Sequence, residues 1–318
     1  MMLPRMKFAI IGTGGVGGYF GGKLARSGED VWFLARGKHL DAMRVNGLQV
    51  NSFEGNFTVP QGTMTDDPSE IGVVDTVLFC VKSYDTQSTA KQIAPLLSDE
   101  TIVISLQNGV DNAEKIRREI PRGIVFGGVA YIYSTISAPG VVTHTVGPTK
   151  IVFGDVEKRR GRIAERAQAI LDTLRNASIN ATLADDIRLE QWKKYIFIAA
   201  VGGMTALTRL TLGEILAVPE SRALLADAMR ETEAIARAKG INLPSRFTEQ
   251  VFDILKNYDN NSRSSMYHDL VHHRRIEIEA FSGTIVKYGE ELGIPTPVHR
   301  AMFAALLPYH LKHSTGMT

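Results

Sequence analysis

Two hydrophobic patterns divide the chain. Up to about residue 185, short apolar runs alternate with helical stretches. The runs at residues 7–11, 30–35, 73–81 and 101–106 are rich in Val, Ile, Leu and Phe. Their length and β-branched content predict strands buried on both faces of a parallel sheet. Helices are predicted after the glycines at 12–17 as far as Ser27-Gly28, over residues 38–45, over 86–94 before Pro95, and over 111–119 before Pro121. Residues 48–50 and 57–59 flank Glu54-Gly55 and predict a hairpin inserted after the second strand. Residues 126–133, 140–146 and 150–154 predict three more strands, punctuated by Pro139-Gly140 and Gly147-Pro148. Ile163, Ala167, Ile170, Leu171 and Leu174 share one face of a helix over 162–174.

Beyond residue 185 the strand-like runs stop and helical periods take over. Helices are expected from 187 past Ala206, over 212–216, 223–239, 245–256, 265–291 and 297–311. The reading is therefore an α/β chain: a doubly wound sheet over 1–185, followed by an all-α domain over 186–318. A cleft between the two is the default place for a substrate.

The first strand runs straight into Gly12-Thr13-Gly14-Gly15-Val16-Gly17, and a helix follows. That context makes G-x-G-x-x-G a dinucleotide fingerprint. The first glycine allows a tight turn, the second lets backbone approach a pyrophosphate, and the third lets helix pack on strand. The helix N-terminus then presents N–H groups to phosphate. The second strand leads to Arg36, with Lys38 nearby, where an NAD-binding chain carries an acid. A cation there suits the 2′-phosphate of NADP. Lys82 and Asn108 follow the next two strands, at sheet ends that face the ligand crevice. An amide such as Asn108 donates and accepts at once, which suits a position between nicotinamide ribose and substrate.

Composition narrows the choice. Net charge is +2, which gives no reason to expect nucleic acid or a membrane surface as partner. No apolar run is long enough to span a bilayer, and no signal peptide is legible. The single cysteine, Cys80, excludes an internal disulfide and fits a cytoplasmic protein; within an apolar strand it reads as an inert core thiol. His144 on a strand is assigned no role.

Two residues of the helical half can carry chemistry. Lys194 lies in Gln191-Trp192-Lys193-Lys194-Tyr195, at the start of an apolar helix. A lysine kept from water gives up its proton more readily. Glu277 lies between Ile276 and Ile278, and a carboxylate beside that lysine would orient it. His268, His272 and His273 stand at i, i+4 and i+5, the first two at metal-ligand spacing on one helix face, but no third ligand is evident and no metal is assigned. They read as a polar cluster able to touch an anionic substrate.

These residues together resemble the ketopantoate reductases (2-dehydropantoate 2-reductases) over nearly the whole chain. The glycine loop, Arg36, Val81-Lys82 and Gln107-Asn108-Gly109 are similar to that family's cofactor half. Trp192-Lys193-Lys194, Thr205-Ala206, Ser264-Ser265-Met266, Asp269, Glu277-Ile278 and Gly293-Ile294-Pro295 are similar to its helical half. The resemblance implies NADPH-dependent reduction of 2-dehydropantoate to pantoate, a step of pantothenate biosynthesis. It implies Lys194 as general acid, Glu277 as its partner carboxylate, and Asn108, Lys194 and Ser265 as substrate-binding groups. Gly12, Thr13, Gly14, Gly15, Val16, Gly17, Arg36, Lys82 and Asn108 would then bind NADP(H). A homodimer is compatible with it. The chain departs from the pattern at Ile198 and Gly202, where the family often carries asparagine, and at Ser282. A reductase of another 2-oxo acid, or a non-catalytic NADP(H)-binding sensor, are the alternative readings.

Overall fold

The structure, a computed structural model, describes residues 5–255 and 259–315. The chain divides into two compact units, Met1–Glu190 and Gln191–Thr318.

The first unit is built on one sheet. Six of its strands are β1 (Lys7–Ile11), β2 (Asp30–Leu34), β5 (Met64–Thr65), β6 (Thr76–Phe79), β7 (Ile102–Ser105) and β8 (Ile124–Ala138). They are parallel and lie side by side in the order β5-β2-β1-β6-β7-β8. Counted along the chain this is 3-2-1-4-5-6, the doubly wound order, whose switch point lies at β1. Alternation along β1 feeds both faces. Phe8 and Ile10 enter the core under α1 (Gly15–Arg26) and α5 (Arg162–Asn176). Ala9 and Ile11 enter the core on the other face, with Ala90 of α3 (Thr86–Gln92) and Ile116 of α4 (Asn112–Glu119). All four are fully buried. Burying a large apolar side chain of this kind contributes about 1.5–3 kcal/mol.

The expected hairpin forms from β3 (Leu48–Ser52) and β4 (Phe57–Val59), after α2 (Gly37–Asn46). It joins the same sheet by pairing with β9 (Val141–Gly154), which runs antiparallel to β8. The break expected at Gly147-Pro148 does not occur; β9 is one strand. Register shifts between Tyr131 and Tyr133 of β8 leave an irregularity opposite this stretch, where a proline costs no ladder bond. A short strand, β10 (Asn180–Leu183), pairs with β9 and was not legible in the pattern. With β3, β9 and β8 in place, α1 has sheet on several sides. A Cβ on Gly18 would meet Val142 at 2.7 Å, and one on Gly15 would meet the Ser134 carbonyl oxygen.

The second unit is helical: most of α6 (Ile187–Thr208), then α7 (Leu212–Ala217), α8 (Pro219–Ala238), α9 (Phe247–Leu255), α10 (Ser265–Val271), α11 (Thr284–Leu292) and α12 (Pro297–Thr315). Lys256, the last residue of the helix expected over 245–256, lies outside the described residues. Thr211 and Glu214 form a capping box at the start of α7. Gly293 ends α11 in the left-handed conformation, with φ +67°.

The helix expected over 265–291 is a correction. The chain leaves helical geometry after Val271, His273 takes φ +54°, and the Arg274 N–H returns to the Asp269 carbonyl at 2.8 Å. Ile276, Glu277 and Ile278 are then buried in succession, which a helix with one wet face cannot do. A π-helical turn at Glu279–Gly283 leads into α11.

Gly17 tests the packing of α1 on β1. A Cβ there would stand 2.8 Å from Ile10 and closer still to the Gly12 carbonyl oxygen. Gly17→Ala is expected to cost about 1–3 kcal/mol in urea unfolding, because the helix must back away from the strand; an unchanged midpoint would contradict this packing.

Candidate functional site

In the first unit the glycine loop sits at the C-terminal end of β1. Gly12 takes φ +94°, and a Cβ would lie 2.8 Å from the Val81 backbone nitrogen. So the turn after β1 presses against the segment after β6 and only glycine fits. Thr13 is buried, and both its N–H (3.1 Å) and its hydroxyl (3.0 Å) donate to the Leu34 carbonyl. Its side chain thus fixes the loop to the end of β2. Gly14 is the N-cap of α1, and nothing lies within 4 Å of where its Cβ would be. No side chain caps this helix and no acid stands in its first turn. The N–H groups of the first turn, which includes Gly15, Val16 and Gly17, thus have the polarity and approach a pyrophosphate requires. The residues fit a dinucleotide on this ground.

Lys82 is the N-cap of a 3₁₀ turn, Ser83–Asp85, and is partly buried. The Asn108 carbonyl accepts from the Asn112 amide at 2.8 Å. Gln107, which the sequence reading passed over, joins the two loops: its amide donates to the Val81 carbonyl (2.9 Å) and to the Thr86 hydroxyl (2.8 Å), and Ser105 donates to its oxygen (3.2 Å). Its signal was only its place beside Asn108. Arg36 pairs with Asp85 at 2.8 Å. Burial pushes the Cys80 thiol up, so it stays protonated. His144 is buried, bonded to Ser52 (3.0 Å) and packed against Tyr19, as a core histidine would be.

In the second unit Lys194 and Glu277 are coupled. Desolvation lowers the Lys194 ammonium to about 8, and the Glu277 carboxylate opposes that shift. Glu277 is only 6% exposed. The segment that carries it is held from three places. The Tyr195 hydroxyl, next to Lys194 in sequence, reaches the Ala280 (2.9 Å) and Phe281 (2.6 Å) carbonyls. His310 of α12 donates from Nδ1 to the Ile276 carbonyl at 2.6 Å, and its Nε2 accepts from Arg275. His299, three turns earlier on α12, is buried and held neutral, its pKa pushed down to about 4 by desolvation. Its Nε2 donates to the Ala228 carbonyl (2.9 Å) and its Nδ1 accepts from Ser282 (3.1 Å). None of these three was singled out from sequence for this role. The surrounding contacts that identify them are not local in the chain.

Ser265 is exposed at the first position of α10. It is Ser264 that caps the helix, accepting from the Tyr267 N–H (3.0 Å) and from Thr205 (2.7 Å). The spacing of His268 and His272 is not realised on one helix. α10 ends between them, and His272 Nδ1 turns back to the His268 carbonyl at 2.7 Å. Among the described residues no cluster of His, Cys, Asp and Glu could hold a metal. No described helix is long and apolar enough to cross a membrane.

Comparison with known proteins places both halves of the chain in one family. The family description "Ketopantoate reductase PanE/ApbA" matches residues 8–158, and "Ketopantoate reductase PanE/ApbA C terminal" matches residues 186–310. The chain belongs to the ketopantoate reductase family. It is 29% identical to an uncharacterized oxidoreductase of Bacillus subtilis, covering 96% of this chain and all of that one. It is likewise 29% identical to a 2-dehydropantoate 2-reductase of Nostoc, covering 99% and 98%. A PanE/ApbA family ketopantoate reductase structure from Ralstonia eutropha superposes with a TM-score of 0.88 at 33% identity, covering 97% and 99%. Ketopantoate reductases are oxidoreductases acting on a C=O/CH–OH pair, so this chain is an enzyme of that class.

The Tyr195 hydroxyl tests how the segment after Glu277 is held. Tyr195→Phe would leave the Ala280 and Phe281 carbonyls short of a donor in a buried place. A loss of about 1–3 kcal/mol is expected in thermal or denaturant unfolding; a variant as stable as the parent would show that the hydroxyl does not hold the π turn.

Proposed function

We propose that the chain reduces 2-dehydropantoate to pantoate with NADPH, Lys194 giving the proton. The observation that carries the reading is the lowered pKa of Lys194 beside the carboxylate of Glu277. Bound at the glycine loop, the nicotinamide nucleotide supplies a hydride to the carbonyl carbon. Negative charge then gathers on the carbonyl oxygen, and a nearby ammonium both stabilises it and protonates it. An ordinary lysine holds its proton too tightly for this near neutrality. One at about 8 is still mostly charged at pH 7 and releases readily. Glu277 keeps the ammonium charged and oriented. The Gly12–Gly17 loop takes the pyrophosphate, Arg36 the 2′-phosphate, and Lys82 and Asn108 the ribose side. Asn108 and Ser265 bind substrate. The roles divide over the two units: the nucleotide groups and Asn108 in Met1–Glu190, the proton donor and Ser265 in Gln191–Thr318.

A second reading concerns the substrate alone. At Gly202, where an amide is common in the family, a Cβ would meet the Phe281 ring at 3.1–3.2 Å and Met266 at 3.5 Å. Apolar groups occupy the space an asparagine would use, and Ile198 replaces the second amide with an apolar side chain. A 2-oxo acid with a more apolar substituent than 2-dehydropantoate suits that lining, since a buried hydroxyl without a partner is penalised.

Lys194→Ala is expected to keep nucleotide binding and to lose at least about 100-fold in turnover, the usual scale of a general acid. For the parent enzyme, the reduction rate should fall as pH rises through about 8, because the acid form is consumed. Glu277→Gln removes the charge that favours the ammonium, so the falling limb should move to lower pH. A pH–rate profile flat to pH 9, or equal turnover of Lys194→Ala and parent, would refute Lys194 as the donor.

A further inference from the structure

Asp85 is placed where it can choose between coenzymes. Strands β2 and β6 flank β1 on opposite sides. Arg36 follows β2 and Asp85 lies in the 3₁₀ turn after β6, so their side chains meet across the end of β1 at 2.8 Å. Asp85 is also the N-cap of α3. An aspartate at that position ordinarily accepts a first-turn N–H of its own helix. Here it makes no such bond, and its carboxylate is turned to Arg36 instead. Arg36 is 76% exposed and Asp85 25%, so the pair lies open to a ligand.

We infer that Asp85 is a coenzyme-selecting residue, its carboxylate competing with a ribose 2′-phosphate for Arg36 and accepting from a 2′-hydroxyl. This rests on the nucleotide reading proposed above. A 2′-phosphate must take guanidinium donors from Asp85 and also sit near its negative charge, two penalties of the same sign. An unphosphorylated ribose meets the carboxylate that acid-bearing dinucleotide sites supply from the end of the second strand. The chain therefore carries both devices: the arginine from β2 that favours NADPH, and an acid from the neighbouring crossover that narrows the preference and admits NADH.

Direct titration of the nicotinamide fluorescence of NADPH and NADH, with no turnover needed, tests this. For Asp85→Asn, the ratio of NADH to NADPH dissociation constants should rise about tenfold over the parent, which is about 1.4 kcal/mol. NADPH should bind more tightly and NADH less tightly. Asp85→Ala should shift the ratio in the same direction, and Arg36→Gln should weaken NADPH while leaving NADH within a few-fold. An unchanged ratio in Asp85→Asn would overturn the inference, as would equal weakening of both nucleotides, the mark of a merely structural role. Failure of the parent to bind either nucleotide would instead overturn the nucleotide reading itself, and this inference with it.

Discussion

A carboxylate hidden from water must have its charge answered nearby, and Glu277 answers to Lys194. Both groups pay desolvation, and each makes the other's charged form tolerable. Much of the helical unit can be understood as the means of keeping that pair together. Lys194 is carried on α6, a long helix on which the next two residues, Tyr195 and Ile196, are wholly buried. Glu277 lies on a segment that leaves α-helical geometry; its own and the Ile278 carbonyl are met by the Phe281 and Gly283 N–H groups, and others take donors from elsewhere. Tyr195 and His310 supply them at Ala280, Phe281 and Ile276, while His299 holds the Ser282 side chain. The π turn at Glu279–Gly283 fits this account, since such turns gather at functional sites.

The sheet unit meets a different constraint, close approach. Gly12 must let the β1 turn touch the chain after β6, and Gly17 must let α1 lie on β1. The same small residues that bring helix and strand together leave the helix end open to an anion. Gln107 and Thr13 then tie the loops around that end to one another through the chain's own hydrogen bonds.

How much of this was legible in the residues depended on range. The parallel strands and α1 announce themselves through apolar runs and glycines a few positions apart. The helical domain shows in its period. What failed to show was long-range. The chain from His272 to Ile278 includes good helix formers such as Arg274, Arg275 and Glu277, yet it leaves helix where His273 turns to positive φ and Ile276, Glu277 and Ile278 are buried in succession. The alternation of isoleucine with acid there was the one local sign. Gly147-Pro148 looked like a break because the register irregularity that accommodates it lies on the partner strand β8, not among its own neighbours in the chain. Lys194 and Glu277 were named as candidates, yet their coupling was not deducible from spacing. Asp85 passed unremarked because a helix-capping aspartate is the ordinary reading of that position, and only its turn toward Arg36 sets it apart.

The central claim is that a lysine whose pKa desolvation lowers, and whose charge a carboxylate sustains, protonates the carbonyl oxygen of a 2-oxo acid as hydride arrives. Its most direct test is the initial rate of NADPH oxidation by the purified protein with 2-dehydropantoate, beside a panel of 2-oxo acids with larger apolar substituents. The account predicts substrate-dependent NADPH consumption with at least one of these acids, 2-dehydropantoate first among them. NADPH that binds but is not consumed with any 2-oxo acid would contradict it.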